Sequence, residues 1–202
     1  MEVLEEFLGI APEDLWVYNK LQFSKLLGYV CGPIGAPVPY PGWYMVRPAI
    51  NFLGMGRNAR KVWLAPSDKT EDFGYPSEFW CEYITGDHIS VDYEEKKPVL
   101  TVRGTRRRNL SSVEHSSWVK WEKTSAFLPI PHILGDVAQK YATINVEFIG
   151  QKPIEAHFRG NPDFVWGNSV AIPVMKNENT DPPNGFRFVK SEDYCRIGFF
   201  IK

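Results

Sequence analysis

The sequence predicts an α+β protein made of two small lobes, each built on antiparallel β-strands. The chain has 202 residues, which suits one domain or two small lobes that share a cleft. Short β-rich segments are separated by tight polar turns, as in antiparallel sheets. Helical signals appear at residues 12–27 and 131–141. A polar stretch, residues 66–77, divides the chain into lobes of residues 1–77 and 78–202.

Composition and charge restrict the classes of protein to be considered. The formal net charge is -1, so no overall field attracts nucleic acid or an anionic membrane. Cys31, Cys81 and Cys195 are widely spaced and form no CxxC pair, which predicts reduced thiols and a cytoplasmic location. No apolar run approaches the roughly 20 residues of a membrane span, and the acidic N-terminus does not resemble a signal peptide.

The first lobe is predicted to begin with helix and continue as a hairpin. Residues 12–27 read as one helix or two short ones, stopped at Gly28. After a Pro/Gly-dense connector, residues 43–48 read as a strand and residues 61–65 as its return. A glycine-containing loop that begins at Asn51 joins these two strands.

The second lobe is predicted to be mostly strands. One helix is expected at residues 131–141, with Ile133, Leu134, Val137 and Tyr141 on one side. The first three strands should form one antiparallel meander, and the Asn- and Pro-rich segment before the last strand should wrap the surface. The predicted strands are residues 78–84, 88–93, 98–104, 143–149, 153–158 and 195–201.

The hairpin of residues 143–158 carries a pair of acids. If its loop is the three residues 150–152, Glu147 lies opposite Glu155, and His157 and Arg159 extend the same face. A two-residue loop would turn one strand over and break this pairing. Two carboxylates about 5 Å apart need a counter-charge, and Mg²⁺ is a suitable one. The alternative is a solvated surface hairpin in which Glu155 pairs with Arg159.

A second group of residues indicates phosphate binding. Arg47 lies on a predicted strand, and the loop with Gly54 and Gly56 follows it. Glycines allow backbone N–H groups to approach phosphate oxygens, and a neighbouring cation completes the cradle. The spacing matches neither a Walker loop nor a dinucleotide fingerprint, and taken alone a plain turn explains it better.

Taken in order along residues 19–162, these segments resemble the ATP-grasp ligases. Lys20, preceded by Asn19, resembles the lysine of the Asp-Lys pair that opens the family's ATP-binding region. Arg47 stands where the family usually has the second phosphate-binding lysine, in a "V-V-K-P" pattern. Gly54 and Gly56 resemble the flexible flap over the phosphates.

The remaining matches concern the adenine and the metal. Residues 79–92 resemble the hinge strand and turn, which implies adenine contacts from the backbone of Glu82, Tyr83 and Ile84. Glu147 matches the first metal-binding acid. The family's "E-x-N-x-R" pattern matches a final set of three residues, Glu155, His157 and Arg159. The resemblance therefore implies an ATP cleft between the lobes, with ATP and Mg²⁺ or Mn²⁺ as cofactors.

Four positions depart from the family pattern. Arg47 replaces a lysine, and His88 stands where a ribose-binding glutamate is common. His157 replaces the metal-binding asparagine, and an imidazole suits Mn²⁺ better than Mg²⁺. Asn145 occupies a position where some relatives carry a substrate-binding arginine.

The resemblance implies a reaction and its participants. A carboxylate substrate would attack ATP to give an acyl phosphate, which an amine or another nucleophile then displaces. Arg159 would steady the transferred group, and Arg103, as a bidentate donor, would suit a carboxylate or acyl phosphate.

The family usually has a further α/β domain before the position of Lys20, and it forms a wall of the substrate site. We therefore expect self-association, a partner chain, or a large substrate such as a polypeptide to close the site. Trp16, Tyr40 and Trp43 are candidates to face that gap, although a place in the core would also explain them.

Two other functions are open at this point. The substitutions at His88 and His157 would also fit a nucleotide-binding protein of this fold that catalyses no ligation. A nucleic-acid-binding protein could use the aromatic residues and the arginines at 106–108, but the near-zero net charge disfavours it. The same arginines could form a solvated loop or a clamp for phosphate or carboxylate.

Overall fold

The computed structural model describes residues 7–50, 58–106, 118–192 and 196–202. The predicted loop glycines Gly54 and Gly56, two of the three clustered arginines and Cys195 lie outside these residues. Within them the chain forms one α-helix, α1 (Lys20–Leu26), several 3-10 turns and two antiparallel sheets. No helix in this part of the chain is long and apolar enough to cross a membrane.

The strands divide unequally between the two sheets. The small sheet has the order β1-β4-β2-β3, and the large sheet has the order β11-β12-β10-β7-β6-β5-β8-β9. This α+β arrangement confirms the predicted fold class. The strands are β1 (Cys31–Pro33), β2 (Gly42–Pro48), β3 (Arg60–Leu64), β4 (Glu78–Glu82), β5 (His88–Glu94), β6 (Lys97–Arg106), β7 (Trp118–Lys123), β8 (Ile144–Ile149), β9 (Lys152–His157), β10 (Val170–Met175), β11 (Arg187–Lys190) and β12 (Arg196–Ile201).

The N-terminal helical region is two short elements. A 3-10 helix covers Pro12–Tyr18, and α1 follows after Asn19. The Asn19 side chain caps α1 by accepting a hydrogen bond from the Gln22 N–H. The Lys20 N–H donates to the carbonyl of Ala49, just beyond β2, so the start of α1 is fixed to the small sheet.

The predicted meander that begins at residue 78 is wrong in its first strand. β4 does not pair with β5 but joins the small sheet, between β1 and β2. Residues 83–87 instead carry the chain from one sheet to the other. The division between sheets therefore falls after Glu82, whereas the polar composition of residues 66–77 placed the lobe boundary before Glu78.

The predicted helix at residues 131–141 is also wrong. The segment forms two 3-10 turns, His132–Leu134 and Val137–Gln139, separated by Gly135. Its apolar residues nevertheless pack on one side, because Leu134 and Val137 are buried in the core and Tyr141 packs against it. The apolar spacing identified the buried side correctly, while Gly135, a poor helix former, lies where the predicted helix is interrupted.

Four strands were not predicted, namely β1, β7, β10 and β11. Three of them lie in segments that look like connectors, because they are rich in proline, glycine or serine or are flanked by such residues. β10 and β11 extend the large sheet on the side away from β8 and β9. They contribute Ala171 and Val189 to a second apolar core with Val102 and Phe199.

A buried ion pair joins two strands of the small sheet that are not neighbours. Arg60, at the start of β3, donates to both carboxylate oxygens of Glu78, at the start of β4, over 2.8 and 2.7 Å. Glu78 is only 3% exposed and also accepts from the Tyr75 N–H. Burial alone would raise the pKa of Glu78, but the hydrogen bonds from Arg60 and Tyr75 hold it below the ordinary value.

We predict that Arg60→Ala lowers the free energy of unfolding by about 2 kcal/mol at pH 7, because a buried carboxylate loses its partner. A carboxyl group with a lowered pKa in the folded state stabilises the fold above its ordinary pKa and loses this contribution as the pH falls. The difference between wild type and variant, measured by urea unfolding, should therefore shrink as the pH falls below about 4.5.

Arg187→Ala is the matched control, because Arg187 is exposed on β11. It should change stability by less than about 0.5 kcal/mol. An equal loss in both variants, or a loss for Arg60→Ala that does not depend on pH, would contradict this account of Glu78.

Candidate nucleotide and metal site

The acid-bearing hairpin, β8 and β9, has the predicted pairing but not the predicted loop. Glu147 lies opposite Glu155, and Asn145 lies opposite His157. The loop has two residues, 150 and 151, because Ile149 pairs with Lys152. A bulge at Ile154 then shifts the register by one residue and returns Glu155 to the face of Glu147.

Glycine is required at the turn of this hairpin. Gly150 has a φ of 61°, in the left-handed region that favours glycine. Its N–H donates to the Asp87 carbonyl over 2.8 Å. A Cβ on the facing Gly86 would lie 2.7 Å from the Gly150 backbone nitrogen, so a larger residue does not fit at position 86. The hairpin turn is thus fixed against the segment that crosses between the sheets.

Glu155 lies at the centre of the site and is held by cations from the small sheet and α1. It is 8% exposed, and its carboxylate forms an ion pair with the equally buried Lys20 ammonium. Arg47 donates from Nη2 to the Ile154 carbonyl over 3.0 Å. Burial alone would raise the pKa of Glu155, but Lys20, with smaller contributions from His157 and Arg47, holds it well below its usual range.

Arg47 has a buried donor that nothing in the described chain uses. The residue is 9% exposed, and among the described residues its Nε has no hydrogen-bond acceptor. Its guanidinium carbon lies 5.3 Å from the ring centroid of Phe79, which helps to fix its orientation. A buried guanidinium with an unused N–H is suited to an anionic ligand such as a phosphate.

The second acid, Glu147, is held by a histidine. His88 Nε2 lies 2.7 Å from Glu147 Oε2, and the His88 ring packs edge-on against Trp121. One ligand atom from each of Glu147, Glu155 and His157 lies within 4.8 Å of the others. Two carboxylates and an imidazole at this spacing fit a divalent cation, and the imidazole favours Mn²⁺ over Mg²⁺.

The predicted adenine-binding segment lies where the chain leaves the small sheet. The N–H of Glu82 donates to the Val30 carbonyl and that of Tyr83 to the Trp43 carbonyl, over 2.9 and 3.2 Å. The Glu82 side chain pairs with Lys152 of the hairpin at 3.1 Å. Two amide groups of the predicted segment are therefore used within the protein, and a base could meet only its other backbone atoms, including those of Ile84.

Of the two predicted catalytic arginines, Arg103 is not brought to this cluster. It pairs with Ile89, which in turn pairs with Phe148, so it lies on the face of the large sheet opposite Glu147. It is about half exposed, and its Nη1 lies 3.6 Å from an Asp87 carboxylate oxygen. Side chains alternate between the two faces along β6, so the register of β6 with β5 decides the face on which Arg103 lies. The sequence alone does not give that register.

Arg159, the other predicted arginine, follows β9 two residues after His157. It is exposed and donates from Nη1 to the Gly160 carbonyl over 3.2 Å. Burial raises the pKa of Asp92, and the positive charge of the nearby Arg159 offsets part of that rise.

A buried polar network beside the acid pair was not predicted. The Asn145 amide donates to Ser90 Oγ and to Asp92 Oδ1, each over 2.7 Å, and the Asn161 N–H donates to Asp92 Oδ2 over 2.8 Å. Burial raises the pKa of Asp92 despite these hydrogen bonds. The alternation of polar residues 88, 90 and 92 in β5 was the sequence signal for it. Both carboxylate oxygens of Asp92 therefore accept hydrogen bonds within the protein.

Of the three aromatic residues expected to face the open side of the site, two are exposed and one is not. Tyr40 and Trp43 are 48% and 49% exposed, whereas Trp16 packs partly buried against the main core. Trp43 lies on the same face of β2 as Arg47, four residues away. It stacks edge-on with Trp63 of β3, and the Lys61 ammonium lies 4.6 Å from its ring centroid.

Comparison with known proteins gives structural matches alone. No family model matches the sequence, and no curated protein does. The fold resembles N5-carboxyaminoimidazole synthetase from Staphylococcus aureus complexed with ADP, with a TM-score of 0.51 and 10% identity over 92% of this chain and 67% of that one. The Aspergillus clavatus enzyme, in complex with ADP and 5-aminoimidazole ribonucleotide, gives a TM-score of 0.51 and 8% identity over 91% and 68%.

A third match, from Archaeoglobus fulgidus, has a provisional assignment to the ATP-grasp superfamily, a TM-score of 0.47 and 14% identity over 92% of this chain. This chain spans 64% of that protein, and 42% of an L-amino acid ligase from Bacillus licheniformis. With its two antiparallel sheets, the chain has a fold like that of the two N5-carboxyaminoimidazole synthase structures.

Proposed function

We propose that this chain is an ATP-dependent ligase that joins a carboxylate substrate to an amine or another nucleophile. The observation that carries the proposal is the convergence of two N-terminal cations on the hairpin, where Lys20 pairs with Glu155 and Arg47 donates to the neighbouring Ile154 carbonyl. Two solved N5-carboxyaminoimidazole synthases of similar fold, both complexed with ADP and matched at low identity, support the use of ATP.

Different residues of the cluster would bind the nucleotide phosphates and the metal ion. Lys20 and Arg47 would hold phosphate oxygens, since both are buried cations. Glu147, Glu155 and His157 would hold a divalent metal ion, which neutralises phosphate charge when bound. ATP would supply the phosphoryl group that activates the carboxylate. His88 would keep the Glu147 carboxylate in position through their 2.7 Å contact.

The buried ion pair sets a condition on ligand binding. Lys20 and Glu155 satisfy each other in the protein alone. If phosphate takes Lys20, the Glu155 carboxylate loses its counter-charge and becomes available for a metal ion. A metal ion bound to Glu155 would likewise free Lys20 for phosphate. Metal and nucleotide should therefore bind more strongly together than separately.

Catalysis by these residues would be positional and electrostatic. The cations hold the transferring group in a site from which most solvent is excluded, where their charges act strongly. Arg159 would steady the transferred group from the end of β9. No described side chain of the cluster needs to act as a covalent nucleophile, and Arg103 has no part in this mechanism. We propose further that the acceptor, a partner chain or a second copy covers the exposed aromatic residues Tyr40 and Trp43.

The first prediction concerns the phosphate cation. ATP with Mn²⁺ or Mg²⁺ should raise the melting temperature, because a ligand that binds only the folded state stabilises it by mass action. Arg47→Ala should remove most of this shift, and Arg47→Lys should retain part of it by keeping the charge. Differential scanning fluorimetry over a range of ATP concentrations measures both.

Arg103→Ala is the matched control, since it removes an arginine from the opposite face of the sheet. It should retain the full ATP-dependent shift. If Arg47→Ala keeps the shift and Arg103→Ala loses it, the phosphate site is not at Arg47.

A further prediction concerns the metal hairpin. Glu155→Gln keeps the shape of the side chain but removes its charge. It should abolish the metal-dependent part of the nucleotide-induced shift and any ADP release with mixed carboxylates and amines. The apo protein should also lose about 2–3 kcal/mol of stability, because the buried Lys20 ammonium loses its counter-charge.

Glu71→Gln, at an exposed position in the N-terminal part, is the control and should change none of these quantities. Full metal-dependent turnover by Glu155→Gln would show that the hairpin is structural. Metal-dependent binding by wild type without ADP release from any carboxylate and amine mixture would favour nucleotide binding without ligation.

A further inference from the structure

Two free cysteines lie opposite each other in the small sheet, and one of them, Cys81, lies beside Arg47 of the cluster described above. Cys31 of β1 and Cys81 of β4 are direct cross-strand partners, so their side chains point to the same face. The Glu82 N–H donates to the Val30 carbonyl, on one side of the pair. The Ile34 N–H donates to the Glu78 carbonyl further along the ladder. Hydrogen-bonded and non-hydrogen-bonded pairs alternate along antiparallel strands, so Cys31 and Cys81 are a non-hydrogen-bonded pair.

Pairs of this type have the Cα separation that a disulfide needs. In a non-hydrogen-bonded antiparallel pair the Cα atoms lie about 4.5 Å apart. Disulfides span Cα separations of about 4.4–6.8 Å. We propose that Cys31 and Cys81 are a site of reversible disulfide formation, which cross-links β1 to β4 in the presence of a small disulfide oxidant such as oxidised glutathione.

The exposure of the two residues sets the order of the steps. Cys31 is partly exposed, whereas Cys81 is 5% exposed. The Cys31 thiolate would attack a sulfur of the oxidant, form a mixed disulfide and release one thiol. The Cys81 thiolate would then attack the Cys31 sulfur and displace the second thiol. The oxidant gains two electrons, and the two protons lost by the cysteines end on the released thiols.

The surroundings of the pair set the rate at which it exchanges with a disulfide. Burial, together with the negative charge of the other cysteine, raises the pKa of the Cys31 thiol. Burial also raises the pKa of Cys81, and the charge of the nearby Arg47 offsets only part of that rise. Both thiols are therefore protonated at neutral pH and exchange slowly.

The cross-link would have a structural consequence that does not depend on the proposed function. β1 is an edge strand of three residues, held by its pairing with β4. A bond between residues 31 and 81 would close a loop that contains β2 and β3 and would restrict the unfolded chain. The oxidised protein should therefore melt at a temperature several degrees higher than the reduced protein.

The test uses the full chain with Cys195→Ser, which leaves Cys31 and Cys81 as its two thiols. The protein is equilibrated with mixtures of oxidised and reduced glutathione, folded or in guanidinium chloride, then alkylated and digested for mass spectrometry. We expect both thiols to disappear together, a linked peptide pair, and full reversal by dithiothreitol. The equilibrium constant for cross-linking should be at least about tenfold larger in the folded protein.

Cys31→Ser in the same background is the control and should give at most a glutathione adduct on Cys81. The proposal is overturned if the folded protein stays reduced, carries separate adducts on the two cysteines, or cross-links no better than the unfolded chain. If Cys195→Ser does not fold, the wild-type protein gives the same decision, because the linked peptides identify the partners.

Discussion

The buried ion pair between Lys20 and Glu155 is the interaction on which the site depends. It joins the first residue of α1 to the outermost strand of the large sheet. Removing two charges from water is costly, and such a pair is often no more stabilising than apolar residues of similar volume. The proposed ligands, phosphate for the lysine and a metal ion for the glutamate, would give these buried charges a function that stability alone does not.

The two sheets are held together around this pair by a few polar contacts. Arg47 donates to the carbonyl of Ile154, the residue at the β-bulge, and Lys152 pairs with Glu82 at the end of the small sheet. Gly150 donates to the crossing segment at Asp87. Each contact involves the hairpin of β8 and β9, so this hairpin both carries the acids and forms the junction. A ligand that reorganises the ion pair would therefore act on the contact between the sheets.

Much of the cluster could be predicted because its residues follow strand alternation and a family pattern. The pairing of Glu147 with Glu155 was predicted correctly although the loop length was wrong, because the bulge at Ile154 compensates for the shorter turn. Arg103 was misplaced because the face of a residue on β6 depends on a register with β5 that one sequence does not contain. β4 was assigned to the wrong neighbour for a similar reason, since a short turn after a strand suggests a hairpin even when the chain changes sheet. The Asp92 network required knowledge of which strands are adjacent.

The most direct measurement is a crystal structure with a non-hydrolysable ATP analogue and Mn²⁺, with anomalous diffraction to locate the manganese. We expect an anomalous peak bonded to the carboxylates of Glu147 and Glu155. We also expect Lys20 to leave Glu155 and to contact a phosphate oxygen together with Arg47. Bound nucleotide with the Lys20–Glu155 pair intact, or manganese bound away from both glutamates, would contradict the proposed site.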